Sequence, residues 1–276
     1  MSPESGRSTS TGPTAKDEEE RRRVGQTFGV VEDSHGEWLS PLIRHARPVT
    51  LKPLVNPTFS PPLPPHVSFA YLNMSDLADH PLRQAELAFL GDRVAINRRN
   101  SFQLGRGAAR LALEGLGVEP ASIPRGDFGE PIWPPDMVGT ITHSGDHALA
   151  AVAERSSCRG IGMDLERFAD FQGLADQVAF GDELDWLNSL STVDRQRGVI
   201  EIFSAKESIF KAFFPRVNRY FGFEAAGIAE VAGMSYRLGR LLEPIDNAYP
   251  ATRTFRIDTE WYNDLVLSTV VLPSDE

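Results

Sequence analysis

Ten residues constrain this chain more than any other stretch: Phe203-Ser204-Ala205-Lys206-Glu207-Ser208-Ile209-Phe210-Lys211-Ala212. From about Arg195 to Phe214, Val199, Ile200, Ile202, Phe203, Ile209, Phe210, Phe213 and Phe214 recur among charges. That pattern predicts a helix with one buried face. Asp194 is the expected N-cap, and Pro215 the expected stop. Glu207 and Lys211 are four apart, so they share a face in the favourable order of acid before base. Lys206 lies one residue round and points elsewhere.

Upstream, Gly160-Ile161-Gly162-Met163-Asp164-Leu165-Glu166 reads as a buried strand. Residues two apart share a strand face, so Asp164 and Glu166 point the same way. Adjacent carboxylates repel unless one holds a proton or a cation sits between them. Glu207, arriving from the helix, would complete an oxygen-rich site for Mg²⁺, which is commonly bound by a few carboxylates together with substrate phosphates. Lys206 and Lys211 would suit those phosphates. Taken singly, each piece also fits an exposed strand end and an ordinary salt-bridged helix.

Two further stretches carry polar chemistry. In Arg98 to Leu113, Phe102, Ala109, Ala112 and Leu113 form an apolar stripe, Gly105, Gly107 and Ala108 permit close packing, and Arg99, Arg106 and Arg110 cluster at helical spacing. Such a guanidinium cluster suits a phosphate. Gly129-Glu130-Pro131-Ile132-Trp133-Pro134 is rigid and extended, and a strand ending in Thr142-His143-Ser144 offers hydrogen-bond donors.

The two central stretches, in order and about forty residues apart, resemble the signature motifs of 4′-phosphopantetheinyl transferases. The likeness is to the larger monomeric class, in its enterobactin-synthesis-like branch. Residues 98–113 resemble the family's Phe-x-x-Gly-Arg-x-x-Ala-Arg element, and 131–144 its Pro-x-Trp-Pro … Thr-His element. Thr140 stands where Ser is usual, and Gly129 where a base is frequent, with Arg125 a possible substitute. The resemblance implies an α/β (α+β) fold of two similar lobes with the active site in their seam. It also implies transfer of the phosphopantetheine arm from coenzyme A to a serine of an apo carrier protein, releasing 3′,5′-ADP. Asp164, Glu166 and Glu207 would hold Mg²⁺. Glu207, or alternatively Glu166, would be the base, and Lys211 would contact phosphate with Lys206 as a second candidate. Arg99, Arg106, Thr142 and His143 would hold the nucleotide. The partners would be carrier domains of peptide, polyketide or fatty-acid synthases, docking on Arg167 to Leu190. A different Mg²⁺-dependent phosphate hydrolase, or a non-catalytic module binding coenzyme A or a carrier, are the alternatives.

Composition bounds the rest. The chain of 276 residues carries 38 acids and 28 bases, a net charge of −10, which argues against a general nucleic-acid binder. No apolar run approaches the ~20 residues of a membrane span, and residues 1–23 lack the apolar core of a secretory signal. The single cysteine, Cys158, rules out an internal disulfide and a cysteine-based zinc site. A cytoplasmic protein is expected, and the resemblance implies a monomer. Residues 1–26 read as a disordered tail and 27–66 as a Pro-rich wrapping segment with a short strand at Phe28 to Val31. The N-terminal lobe is expected at 67–155 and the C-terminal lobe at 156–276. Within them, Val67 to Leu72 is a strand, Leu82 to Ile96 a helix with Pro81 at its first position, and His147 to Glu154 with Cys158 to Glu166 a hairpin. Tyr220 to Val231, Ser235 to Leu241, Thr252 to Asp258 and Leu265 to Leu272 should form a closing sheet. Glu86 receives no catalytic role, and Cys158 is a small buried residue.

Overall fold

The computed structural model describes residues 47–48, 58–90, 94–119, 122–170, 173–230, 235–245, 249–250 and 253–274. The tail expected at 1–26 and the strand expected at 28–31 lie outside them. Ten strands are described: β1 (Arg47–Pro48), β2 (Ser68–Asn73), β3 (Met137–Ser144), β4 (His147–Glu154), β5 (Cys158–Arg167), β6 (Ala169–Asp170), β7 (Ala226–Glu230), β8 (Tyr236–Leu241), β9 (Thr254–Tyr262) and β10 (Leu265–Pro273). The helices are α1 (Gln84–Leu87), α2 (Ile96–Gly115), α3 (Ala175–Val178), α4 (Asp182–Ser189) and α5 (Thr192–Val217), with 3₁₀ turns at Met74–Asp79 and Phe223–Ala225.

Two antiparallel sheets organise the molecule, in strand orders β2-β4-β3 and β5-β10-β9-β8-β7. This is the mixed α/β architecture expected. Two-residue turns close the hairpins β3–β4 and β9–β10, and each has a left-handed residue, Gly145 at φ 57° and Asn263 at φ 59°. Tight hairpin turns require such backbone. Helix α2 packs on the first sheet through Leu104, Ala108, Ala109, Ala112 and Leu113. Helix α5 packs on the second through Ala205, Ile209, Ala212 and Phe213.

The expected β4–β5 hairpin does not form. The turn is present, with Ser157 N–H donating to Glu154 O at 2.9 Å, but β5 leaves to pair with β10 in the other sheet. The two sheets meet where β3 runs beside β5. There the Thr140 and Thr142 hydroxyls accept from the Met163 and Leu165 N–H groups, at 3.2 and 2.9 Å. Behind this seam, Ile161, Met163 and Leu165 share one apolar cluster with Phe59, Val138 and Leu149. The Pro-rich segment is thus tied in at Phe59, whose ring meets Tyr71 of one sheet at 5.0 Å and Tyr262 of the other at 4.7 Å.

Other boundaries shift for local reasons. Among the described residues of the helix expected over Leu82 to Ile96, Gln84–Leu87 is helical, with Pro81 before it, and Ile96 already opens α2. Glu86 turns inward to Arg110 and to Ile123 N–H. Helix α5 starts at Thr192, capped by Ser191, whose hydroxyl accepts from Asp194 N–H; Asp194 is therefore inside the first turn. Pro215 falls inside the last turn, and the helix stops at left-handed Asn218. A proline there forfeits the hydrogen bond to Lys211 O and crowds that carbonyl, but only Arg216 and Val217 of the helix follow it. The strand read from Tyr220 is delayed to Ala226 by the 3₁₀ turn, and that read from Thr252 begins at Thr254.

Candidate active site

The site is made by close approach of α5 to β5. A Cβ on Gly162 would lie 1.8 Å from Ser208 O, and one on Gly160 2.0 Å from Ala212 O. Only glycine lets the helix rest on the strand backbone at these points. Two helix serines fasten the contact: Ser204 Oγ donates to Asp164 O and Ser208 Oγ to Ser268 O, both at 2.9 Å. These glycines and serines belong to the two central stretches, yet their positioning role is not apparent from residue spacing.

Close approach brings Lys211 onto β5. Its Nζ donates to Met163 O at 3.1 Å and to Asp164 Oδ1 at 2.7 Å. The other oxygen, Asp164 Oδ2, is buried with no hydrogen-bond partner. Glu166 and Glu207 complete the group. Burial, then the charge of Asp164, holds Glu166 well above the usual carboxylate range, and Glu207 adds to it. The same causes push Glu207 up to about 8, against the pull of Lys211. Burial alone would lower Lys211, but Asp164, Glu207 and Glu166 more than reverse it. Glu166 and Glu207 are thus inclined to hold protons, as adjacent carboxylates do where no cation sits between them. Among the described residues, no three His, Cys, Asp or Glu side chains stand as a ready-made metal cluster. The donor set nevertheless fits a hard cation: all oxygen, with one buried oxygen unsatisfied.

These groups line a cavity of about 430 Å³ between the sheets, which also takes in Arg98, Arg106, Arg125, Thr142 and His143. Arg106 is 5% exposed, its Nε lacks a hydrogen-bond partner, and its guanidinium lies 4.4 Å from the Phe102 ring centre. Burial lowers it to about 10, with Arg125 and Arg98 contributing against the pull of Glu86. Cations crowded into one recess suit a polyanion. Burial, then Arg98 and Lys211, lowers His143 to about 4, so it is neutral at pH 7 and offers a phosphate a hydrogen bond without a full charge. The Thr142 hydroxyl is already the acceptor for Leu165 N–H.

Asp164, Glu166, Glu207, Lys211, Arg106, Thr142 and His143 are therefore brought together, and three expected cations are not. Arg99 is exposed and off the cavity; its neighbour Arg98 lines it instead. Arg110 donates to both oxygens of Glu86, at 2.9 and 2.8 Å, inside the first lobe. Lys206 points into the opposite core, as a step of about 100° round a helix requires, where its Nζ meets Glu183 at 2.7 Å and Phe223 O at 3.0 Å. Arg125 does reach the cavity.

Residues 85–153 match a family described as the 4′-phosphopantetheinyl transferase N-terminal domain, and 160–269 one described as the 4′-phosphopantetheinyl transferase superfamily. The chain is 38% identical to 4′-phosphopantetheinyl transferase Npt of Nocardia iowensis over 55% of its own length and 67% of that protein's. It is 34% identical to PptT of Mycobacterium tuberculosis over 65% and 82%. It is 33% identical to enterobactin synthase component D of Salmonella typhi over 60% and 67%.

Proposed function

Because the chain belongs to the 4′-phosphopantetheinyl transferase superfamily, we propose that its cavity holds coenzyme A while the phosphopantetheine arm passes to a carrier-protein serine. The observation that carries this is one cavity lined by two opposite chemistries. It has guanidiniums at Arg98, Arg106 and Arg125, and three carboxylates round Lys211, with His143 in electrostatic reach of Arg98, Arg106, Lys211 and Asp164. The cationic group would take the nucleotide phosphates. Residues 67–155 would thus supply nucleotide binding and 156–276 the carboxylates.

Asp164, Glu166 and Glu207 are the residues that would hold Mg²⁺, which when bound supplies charge neutralisation for the pyrophosphate and the departing phosphate. Lys211 donates hydrogen bonds to a phosphate oxygen. The serine oxygen forms a bond to the phosphorus that carries the pantetheine arm. The bond from that phosphorus to the bridging oxygen breaks, and 3′,5′-ADP leaves. The serine proton passes to a carboxylate, Glu207 in this reading and Glu166 in the alternative. Once ionised, as a bound divalent cation would favour, a carboxylate raised this way is a stronger base than an ordinary one. The segment 167–190, which presents Phe180 at 37% exposure, is our candidate carrier-docking surface. The enzyme would act as a monomer in the cytoplasm; among the described residues no helix is long and apolar enough to cross a membrane.

Intact-mass spectrometry of an apo carrier protein incubated with this chain, coenzyme A and Mg²⁺ tests the reading. One phosphopantetheine should be added, and a chelator should abolish the gain. No gain with several carrier classes while coenzyme A still binds would replace the transferase by a binding module. Release of free phosphopantetheine without a carrier would indicate a hydrolase.

A further inference from the structure

The connection between α2 and β3 stays with the first lobe and reaches across the cavity to α5 of the other. Residues 125–131 form a closed loop: Arg125 bridges Pro131, Gly126 N–H donates to Glu130 O at 2.8 Å, and Gly129 N–H to Gly126 O at 3.0 Å. Ile132 N–H donates to Pro124 O at 2.9 Å, and Phe128 N–H to the Glu130 carboxylate at 2.9 Å. Gly129, at φ 90°, supplies backbone that other residues resist. These bonds tie the two ends of the loop to one another.

Phe128 leaves this loop and meets Phe214 of α5 edge-on, ring centres 5.5 Å apart at 67°. Phe214 is 5% exposed and rests on Phe210, 5.3 Å away. All three rings line the cavity. The loop thus carries Arg125 at one end and, three residues on, an aromatic contact to the helix of the opposite lobe.

We infer that Phe128 is a positioning residue for coenzyme A: its edge contact with Phe214 latches the 125–131 loop onto α5 and so holds the Arg125 guanidinium over the cavity. The inference rests on the coenzyme A reading above. Arg125 lies close enough to Arg106 for their charges to interact, so the latch also holds two like charges together. An aromatic pair of this geometry attracts beyond its buried area, and so opposes separation of the loop from α5. No bond is made or broken by Phe128, and its loss should alter capture of the coenzyme and leave the chemical step alone.

Initial rates with coenzyme A varied and an apo carrier in excess decide it, with titration calorimetry of coenzyme A alongside. Phe128→Ala should raise the KM and Kd for coenzyme A about five- to tenfold with kcat within twofold. Phe128→Tyr should restore both, and Phe128→Leu should fall between. Arg125→Ala should raise KM at least as much, and the double variant should be no worse than Arg125→Ala alone, since one residue acts through the other. Unchanged KM in Phe128→Ala, or effects that multiply in the double variant, would overturn the latch. So would a fall in kcat with KM intact. If Phe128→Ala melts early, Phe128→Leu carries the same test. A wild-type chain that neither binds coenzyme A nor modifies a carrier would instead overturn the reading of the cavity, a separate result from failure of the latch.

Discussion

The two long helices use their cations in parallel ways. On α2, Arg110 is consumed by buried Glu86, which also accepts from Arg83 N–H and Ile123 N–H. On α5, Lys206 is consumed by buried Glu183, which also accepts from Phe180 N–H and Ile228 N–H. Each glutamate stands on the short helix before its partner, 24 residues upstream in one case and 23 in the other. Each long helix then turns a second cation, Arg106 or Lys211, toward the shared cavity. Position on a helix does not decide the role. A cation paired with a buried glutamate outside the cavity holds a lobe together; Arg106 and Lys211 line the cavity instead, Lys211 together with its partner Asp164.

Four changes would break or sharpen this comparison. Asp164→Ala or Glu207→Ala should abolish carrier modification, a loss of at least about a thousandfold, with the thermal melt retained; full activity in either would sink the site. Lys206→Met should cost about 3–5 kcal/mol of stability by stranding Glu183, read by chemical denaturation, with the coenzyme A affinity of the folded fraction kept. Lost affinity at unchanged stability would place Lys206 with Lys211 instead. Arg106→Met should do the reverse: a rise of about tenfold in the Kd for coenzyme A, the loss of a charge-assisted hydrogen bond, at undiminished stability.

The smallest effect concerns pH. Glu207 is raised in the folded chain, from 4.5 to about 8. Between those values the folded state keeps a proton that the unfolded state releases. Its stabilising contribution is therefore full below about 4.5 and lost as pH rises through about 8. A divalent cation competes with that proton, so the rise in melting temperature on adding Mg²⁺ should grow from pH 5.5 to 8.5. Glu207→Gln should flatten the trend.

The part of the site legible in residue order is the part set by local geometry. Strand alternation puts Asp164 and Glu166 on one face, and helix spacing puts Lys211 with Glu207 and Lys206 elsewhere. What stayed hidden depends on partners far along the chain. Arg98 and Arg99 differ only in the rotation of α2, and that rotation is fixed where Gly105 and Gly107 press on Ile141, His80 and Leu72. The turn after β4 looks like a hairpin, but the longer pairing of β5 with β10 prevails. The repeated glutamate–cation pair is hidden because each glutamate is also held by an amide far along the chain, Ile123 in one case and Ile228 in the other.

The threonine stitch at the seam has a bearing on how this molecule can be cut. Strands β3 and β5 are each the last of their own sheet, and a bare last strand is a template for other chains. Thr140 and Thr142 turn both templates toward one another and occupy the Met163 and Leu165 amides. Separating residues 156–276 from the rest would uncover the β5 edge with its apolar Ile161, Met163 and Leu165. Such a fragment should form intermolecular sheet, and reassembly of split halves should succeed only when both are made together.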